Sequence, residues 1–326
     1  MSLGHTRKAM VNNVDPEIRY NGPGWSFFGR QPWEVERPFG NQTLYGTKNP
    51  GGLSYTFHGT WVTIQGTTNL VNLAGDVFDP SWECFIDGVS IGSNAPSMLS
   101  QNSSALCESP DLEGGLHEID LYIYMASAVL WFDNILYTPS PTSHDIPLLL
   151  VEGSDQEILY DAHSWTFLDN SSALTRSTGA TVNFNFTGTG ISWVSWIPGH
   201  GPYSESKAIY TINGGPSVHF DVREWALTSS LRSPYQQILF SVENLPKATY
   251  LLTVTHQGSD NQIPLTLESF YIYNVPIPFA PPSFSSKGQP PIGVILGGVG
   301  GSLTFGVLLL TLLWRWKHTN LWKSKA

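Results

Sequence analysis

Apolar and polar residues alternate with period two along much of the first 276 positions. Val182, Phe184 and Phe186 alternate with Asn183, Asn185 and Thr187. Val218, Phe220 and Val222 alternate with His219 and Asp221, and Ile119, Leu121 and Ile123 with Asp120 and Tyr122. Successive strand side chains point to opposite faces, so this pattern predicts antiparallel strands with one buried and one polar face. Asp87-Gly88 and Asn213-Gly214 tolerate left-handed backbone and predict hairpin turns. No segment before the C-terminal apolar run has the 3.6-residue period of an amphipathic helix.

The strand pattern occurs twice. VDPEIRYNGPGWSFF (14–28) aligns with SDQEILYDAHSWTFL (154–168), which pairs Asp15, Glu17, Ile18, Tyr20, Trp25 and Phe27 with Asp155, Glu157, Ile158, Tyr160, Trp165 and Phe167. YTFHGTWVTI (55–64) then matches FNFTGTGISW (184–193), CFIDG (84–88) matches YTING (210–214), and WFDNILY (131–137) matches TLESFYI (266–272). Four blocks in one order predict an internal duplication. The expected fold class is all-β, with two tandem jelly-roll β-sandwiches followed by one C-terminal transmembrane α-helix. The expected boundaries are an N-terminal segment 1–10, a first sandwich 11–138, a linker 139–147 and a second sandwich 148–276. A Pro-rich stalk 277–291, a membrane helix 292–313 and a basic tail 314–326 follow.

The membrane helix is predicted from IGVILGGVGGSLTFGVLLLTLL, 22 residues without a charge. At 1.5 Å per residue this run spans about 33 Å, against a hydrocarbon core of about 30 Å. Trp314 and Trp316 stand where interfacial aromatics sit, and Arg315, Lys317, Lys323 and Lys325 place the C-terminus in the cytoplasm. The large N-terminal part is then extracellular or lumenal. Gly293, Gly297 and Gly301 recur every four residues, a spacing that lets two helices approach and form a homodimer.

Charge and composition sharpen this reading. Residues 1–286 hold all 26 Asp and Glu but 11 of the 16 Lys and Arg, a net −15, and nucleic-acid binding is not expected of such a surface. Aromatics make up 13 % of the chain, enough for sizeable cores. Cys84 and Cys107 are free thiols in a reducing compartment and a disulfide in a secretory one. Asn41, Asn102, Asn170 and Asn185 begin Asn-x-Ser/Thr sequons for N-glycosylation, which favours export. The first twenty residues lack the apolar core of a signal peptide, so export requires an upstream start or another route. The alternative is a tail anchor that leaves the large part in the cytosol.

The chain resembles a family of uncharacterised fungal single-pass membrane proteins with tandem galactose-binding-like, jelly-roll domains. The residues that carry the resemblance are Asp-x-x-Ile-x-Tyr…Gly-x-Gly-Trp (15–25), Phe-x-Gly-Thr (57–60 and 186–189) and Trp-Glu-Cys-Phe-Ile-Asp-Gly (82–88). Gly-Leu-His-Glu-Ile (115–119), Trp-Phe-Asp-Asn-Ile (131–135) and Tyr-Gln-Gln-Ile-Leu-Phe (235–240) continue it. The resemblance implies a pair of β-sandwiches and a Cys84–Cys107 bridge, and no established activity. In such sandwiches the first and last strands can lie side by side. Asp15, Glu17 and Asp133, and Asp155, Glu157 and Glu268, would then gather around a structural calcium. The alternative is solvated strand charge, with Asp15-Pro16 as turn chemistry.

Sugar rings stack on exposed aromatic faces, and the Gly/Pro-rich loop WIPGHGPYSESK (196–207) offers Trp196, His200 and Tyr203 as ligand-binding candidates, joined by Trp225. Trp33, Trp61 and Trp82 are the corresponding aromatics of the first copy, with core packing as the alternative for each. Gly-x-Ser-x-Gly and His-Glu-x-x-His do not occur, and the histidines lack metal-ligand spacing, so no catalytic residue is selected. The leading expectation is a non-enzymatic surface protein that binds glycan or a cell-surface protein, beside the lipid bilayer as partner. A structural or adhesion module and a glycan hydrolase are the alternatives. No cofactor is expected apart from the calcium.

Overall fold

In a computed structural model the chain is described over residues 7–28, 44–68, 71–72, 78–94, 104–125, 129–141, 146–168, 171–196, 204–223 and 237–274. The described residues are all-β, with antiparallel pairing between the strands and no helix. The expected stalk, membrane helix and tail lie outside them. Among the described residues no helix is long and apolar enough to cross a membrane.

The main strands of the first copy are β1 (Arg7–Asn12), β2 (Arg19–Asn21), β3 (Gly51–Thr68), β4 (Ser81–Ile86), β5 (Val89–Gly92), β6 (Ser104–Glu108), β7 (Gly115–Met125) and β8 (Leu130–Pro139). Those of the second copy are β9 (Leu148–Glu152), β10 (Ile158–Tyr160), β11 (Thr181–Gly188), β12 (Gly190–Ser195), β13 (Ser206–Ile212) and β14 (Val218–Val222). They end with β15 (Gln237–Val242), β16 (Ala248–His256) and β17 (Ser269–Tyr273). First and last strands pair in both copies, β1 with β8 and β9 with β17.

In the second copy, the sheet β10-β11-β16-β13-β14 packs over the sheet that contains β9, β17, β12 and β15. Inward residues from both meet in one core. Phe184 stacks on Phe270 with ring centroids 4.9 Å apart, and Tyr210 on Phe240 at 4.2 Å. Trp193 is fully enclosed, and its indole N–H donates to the Thr266 carbonyl at 2.8 Å, so burial strands no donor. The first copy repeats this β-sandwich with local differences in how its strands are divided. Its β3 runs unbroken through 18 residues and serves both sheets, where the second copy divides the same stretch into β11 and β12 at Thr189.

The repeated motifs build this frame. Gly59 and Gly188 lie under the last strand of their own copy. A Cβ at either would run into a backbone oxygen, that of Thr138 or of Tyr273. Asp15 and Asp155 each accept a hydrogen bond from the amide two residues on, at 2.9 and 3.0 Å, which closes the same Asx turn twice. Tyr20 and Tyr160 donate from their hydroxyls to the carbonyls of Asn13 and Gly153. The Cys84–Cys107 disulfide is formed inside the first core.

The copies are fused by backbone as well as side chains. β1 of the first pairs with β9 of the second, which makes one path of strands β15-β12-β17-β9-β1-β8-β3-β7-β4-β5. Arg7 crosses that junction and holds Asp155 by two hydrogen bonds of 2.8 Å and Glu157 at 2.7 Å. Lys8 pairs with Glu152 at 2.6 Å and lies 5.2 Å from the ring centroid of Trp61. Met10, Trp61, Leu136, Leu148, Leu150, Tyr271 and Tyr273 are buried beside them in a third cluster.

Candidate functional site

The sheet β2-β3-β7-β4-β5 of the first copy turns an exposed face outward. Period-two alternation on β7 puts Ile119, Leu121 and Ile123 into the core and Glu118, Asp120, Tyr122 and Tyr124 on that face. On β4 the same rule buries Cys84 and Ile86 and turns Glu83 and Phe85 out. Register sets their neighbours. Asp120 lies opposite Phe85 and Ser54, and Tyr122 opposite Glu83 and Gly52. Position 52 carries no side chain, and a Cβ there would lie 3.2 Å from the Asn21 side-chain oxygen.

Tyr122 is 42 % exposed and Tyr124 56 %, unusual for large rings with no core role. Phe85 meets the Tyr122 ring edge-on at 5.3 Å. Glu83 accepts from the Ser90 hydroxyl at 2.5 Å and from the Tyr124 hydroxyl at 2.9 Å. These hydrogen bonds hold its carboxyl below the usual range and push the Tyr124 phenol up. Burial raises the Asp120 carboxyl, Glu118 raises it further, and Arg19 opposes both. Arg19 itself pairs with Glu118 at 2.7 Å. The result is a flat aromatic ladder bordered by hydrogen-bond acceptors: rings for stacking, carboxylates for hydroxyl donors.

The second copy presents the equivalent face with other residues. Asn183, Asn185 and Thr187 on β11 stand beside Thr249, Leu251, Thr253 and Thr255 on β16, and Leu159 flanks them on β10. None of these is Tyr, Trp or Phe. The duplicated fold therefore carries the aromatic ladder on one copy.

The residues singled out in the sequence fall in several places. Trp196 is half-buried at the end of β12, its backbone amide bound to the Thr266 hydroxyl at 3.2 Å. His200, Tyr203, Trp225 and Trp33 lie outside the described residues. Trp61 and Trp82 are buried, and the Trp82 indole donates to the Leu106 carbonyl. Trp25 and Trp165 are half-buried against Tyr20 and Tyr160. Asp15 closes its turn, Asp155 and Glu157 bind Arg7, Asp133 is buried and accepts from the Thr67 hydroxyl, and Glu268 is half-buried. Among the described residues no three His, Cys, Asp or Glu side chains gather closely enough to hold a metal ion. Asn185 is exposed, while Asn41, Asn102, Asn170 and Gly293, Gly297 and Gly301 lie outside the described residues.

The Tyr122–Tyr124 ladder was not among the sequence candidates. The available signal was two tyrosines at successive outward positions of an alternating strand. What made them a site is the long-range register that brings Phe85 and Glu83 beside them.

No family model matches the chain, and no curated relative matches it. Solved structures similar to it include a two-domain esterase active on acetylated mannans, crystallised with mannopentaose, at 13 % identity and TM-score 0.32. That match covers 42 % of this chain, which spans 39 % of the esterase. The N-terminal CBM22-1-CBM22-2 tandem domain of Paenibacillus barcinonensis Xyn10C aligns over 81 % of this chain and 93 % of its own, at 10 % identity and TM-score 0.27. The M60 catalytic domain of Clostridium perfringens ZmpB with its CBM51-1 and CBM51-2 domains aligns over 82 % and 38 %, at 10 % identity and TM-score 0.22. At these scores the likeness does not define a shared fold.

Proposed function

We propose that the protein is a non-catalytic glycan-binding protein whose ligand lies on the outward sheet face of the first copy. One observation carries the reading: Tyr122 and Tyr124 stand exposed and two residues apart, with Phe85 against one and the ionised Glu83 against the other. Two side chains on one strand face are about 7 Å apart, a separation over which a sugar chain lies flat along both rings. Glu83, Glu118 and Asp120 accept hydrogen bonds from hydroxyl groups, and their charge opposes uronate or sulfated chains.

The finer architecture belongs to the same proposal. The sandwiches are of the jelly-roll kind, held outside the cell or in a lumen by a helix over 292–313, with residues 314–326 in the cytoplasm. The Gly293, Gly297 and Gly301 row pairs two such helices, which would set two aromatic faces on one assembly and raise avidity for a polymer.

Retention of the full-length protein on insoluble neutral polysaccharides tests this reading. Tyr122→Ala and Tyr124→Ala are each expected to weaken binding about tenfold, ~1.4 kcal/mol, without changing the melting temperature. Loss of retention with Trp196→Ala and none with the tyrosine variants would move the site to the loop after β12.

A further inference from the structure

The sequon Asn185-Phe186-Thr187 lies on β11, with Phe186 in the core and Asn185 and Thr187 outward. Its surroundings are uneven. Asn183, one outward position earlier, accepts a hydrogen bond from the Thr253 hydroxyl at 2.7 Å, whereas the Asn185 side chain makes no hydrogen bond among the described residues. Directly across the ladder from Asn185 is Leu251, 37 % exposed, and across from Asn183 is Leu159, 59 % exposed. On β10, β11 and β16 these two leucines are the apolar residues among outward Asn and Thr.

We infer that Asn185 carries an N-linked glycan whose first sugar lies over Leu251. Paired residues on facing strands have Cβ atoms about 5 Å apart, within the width of one sugar ring. The C–H face of an N-acetylhexosamine there removes apolar surface from water that the protein itself leaves open. The donor is a lipid-pyrophosphate-linked oligosaccharide of the secretory lumen. Asn185 Nδ2 bonds to the anomeric carbon, and the carbon–oxygen bond to pyrophosphate breaks. The electron pair stays on the pyrophosphate, and the amide proton leaves to solvent.

Transfer precedes folding of the second copy. In the finished sheet the Asn185 backbone is paired with Leu251, and the Thr187 hydroxyl is engaged with Thr249 at 2.8 Å, so the sequon cannot enter an enzyme groove as an extended segment. The glycan then shields the outward face of the second copy and leaves the Tyr122–Tyr124 face open. The inference requires passage through the lumen and does not depend on ligand binding by the first copy.

The test is site occupancy in the full-length chain made in a eukaryotic secretory host. Enzymatic deglycosylation in 18O-water is expected to convert most of Asn185 to 18O-labelled Asp, with Thr187→Ala removing the label and Thr187→Ser keeping it. Because the glycan is added before folding, the peptide readout holds even if a variant folds poorly. Unlabelled Asn185 in the wild-type chain, or label that survives Thr187→Ala, overturns the inference.

Discussion

Asp87 and Asn213 occupy the same turn in the two copies, with φ angles of 50° and 51°, and each grips the neighbouring strand twice. The Asp87 amide donates to the Glu118 carbonyl at 3.0 Å and its carboxylate accepts from the Glu118 amide at 2.8 Å. Asn213 does the same to Leu251, at 2.8 and 2.7 Å. Only the first copy adds a titrating partner. His117 Nδ1 lies 2.7 Å from the Asp87 carboxylate and its Nε2 lies 2.8 Å from the Glu113 carbonyl, where the second copy has the Tyr250 hydroxyl donating to Pro246.

That difference predicts a pH dependence. Both ring nitrogens of His117 face acceptors, chiefly Asp87, so its folded pKa lies above the ordinary 6.5, and Asp87 lies below its ordinary 3.8. The histidine contribution is therefore complete below about 6.5 and is lost as pH rises through the raised folded value. The aspartate contribution is complete above about 3.8 and is lost as pH falls through its lowered one. Melting temperatures of the wild type relative to His117→Gln are expected to peak between these limits and converge above neutrality.

His256 predicts a slope of the opposite sign. It is 1 % exposed, Nδ1 meets the Ser177 carbonyl, and Nε2 is buried without a hydrogen-bond partner, against Gly258. Burial lowers its folded pKa below 6.5. Stability is then full above 6.5 and falls as pH drops from there toward the folded value. His256→Leu is expected to flatten the profile between pH 6.5 and 5, measured by denaturant midpoint at each pH.

Gly59→Ala and Gly188→Ala are expected to cost about 1–3 kcal/mol each, because a methyl group at either position meets a strand carbonyl that cannot retreat without breaking its ladder. Chemical denaturation of each variant checks this, and equal losses would mark the two sites as equivalent parts of a duplicated frame.

The Cys84–Cys107 bridge closes a loop over a sequence separation of 23. In the chain-entropy account such a loop stabilises by about 3 kcal/mol. Replacing both cysteines with serine is expected to lower the unfolding free energy from chemical denaturation by that amount, with a further loss from setting hydroxyls in the first core.

The frame of the molecule was readable where chemistry is local. Period two along Ile119–Ile123 and Val182–Phe186 located strands, and the Asp87-Gly88 and Asn213-Gly214 pairs located turns. The Asp-x-x-Ile-x-Tyr opening read as a repeated unit, and its turn reading of Asp15 is what the Asx hydrogen bond shows. Side-chain partners across long separations were not readable. Nothing near Arg7 announces Asp155 and Glu157, 148 and 150 residues away, and nothing near Tyr122 announces Phe85. Those contacts follow from sheet register, which alternation leaves open until the strands are paired. The tryptophans drew attention by size, yet Trp61 and Trp82 are buried, while the exposed rings of the first copy's sheet are tyrosines.

The most direct measurement is hydroxyl-radical footprinting of the full-length protein with and without soluble neutral oligosaccharides, read at single side chains by mass spectrometry. Oxidation of Tyr122, Tyr124 and Phe85 is expected to fall as ligand is added, while Phe167, 53 % exposed on the second copy, keeps its rate. Unchanged oxidation at Tyr122 and Tyr124 under saturating ligand would contradict the account.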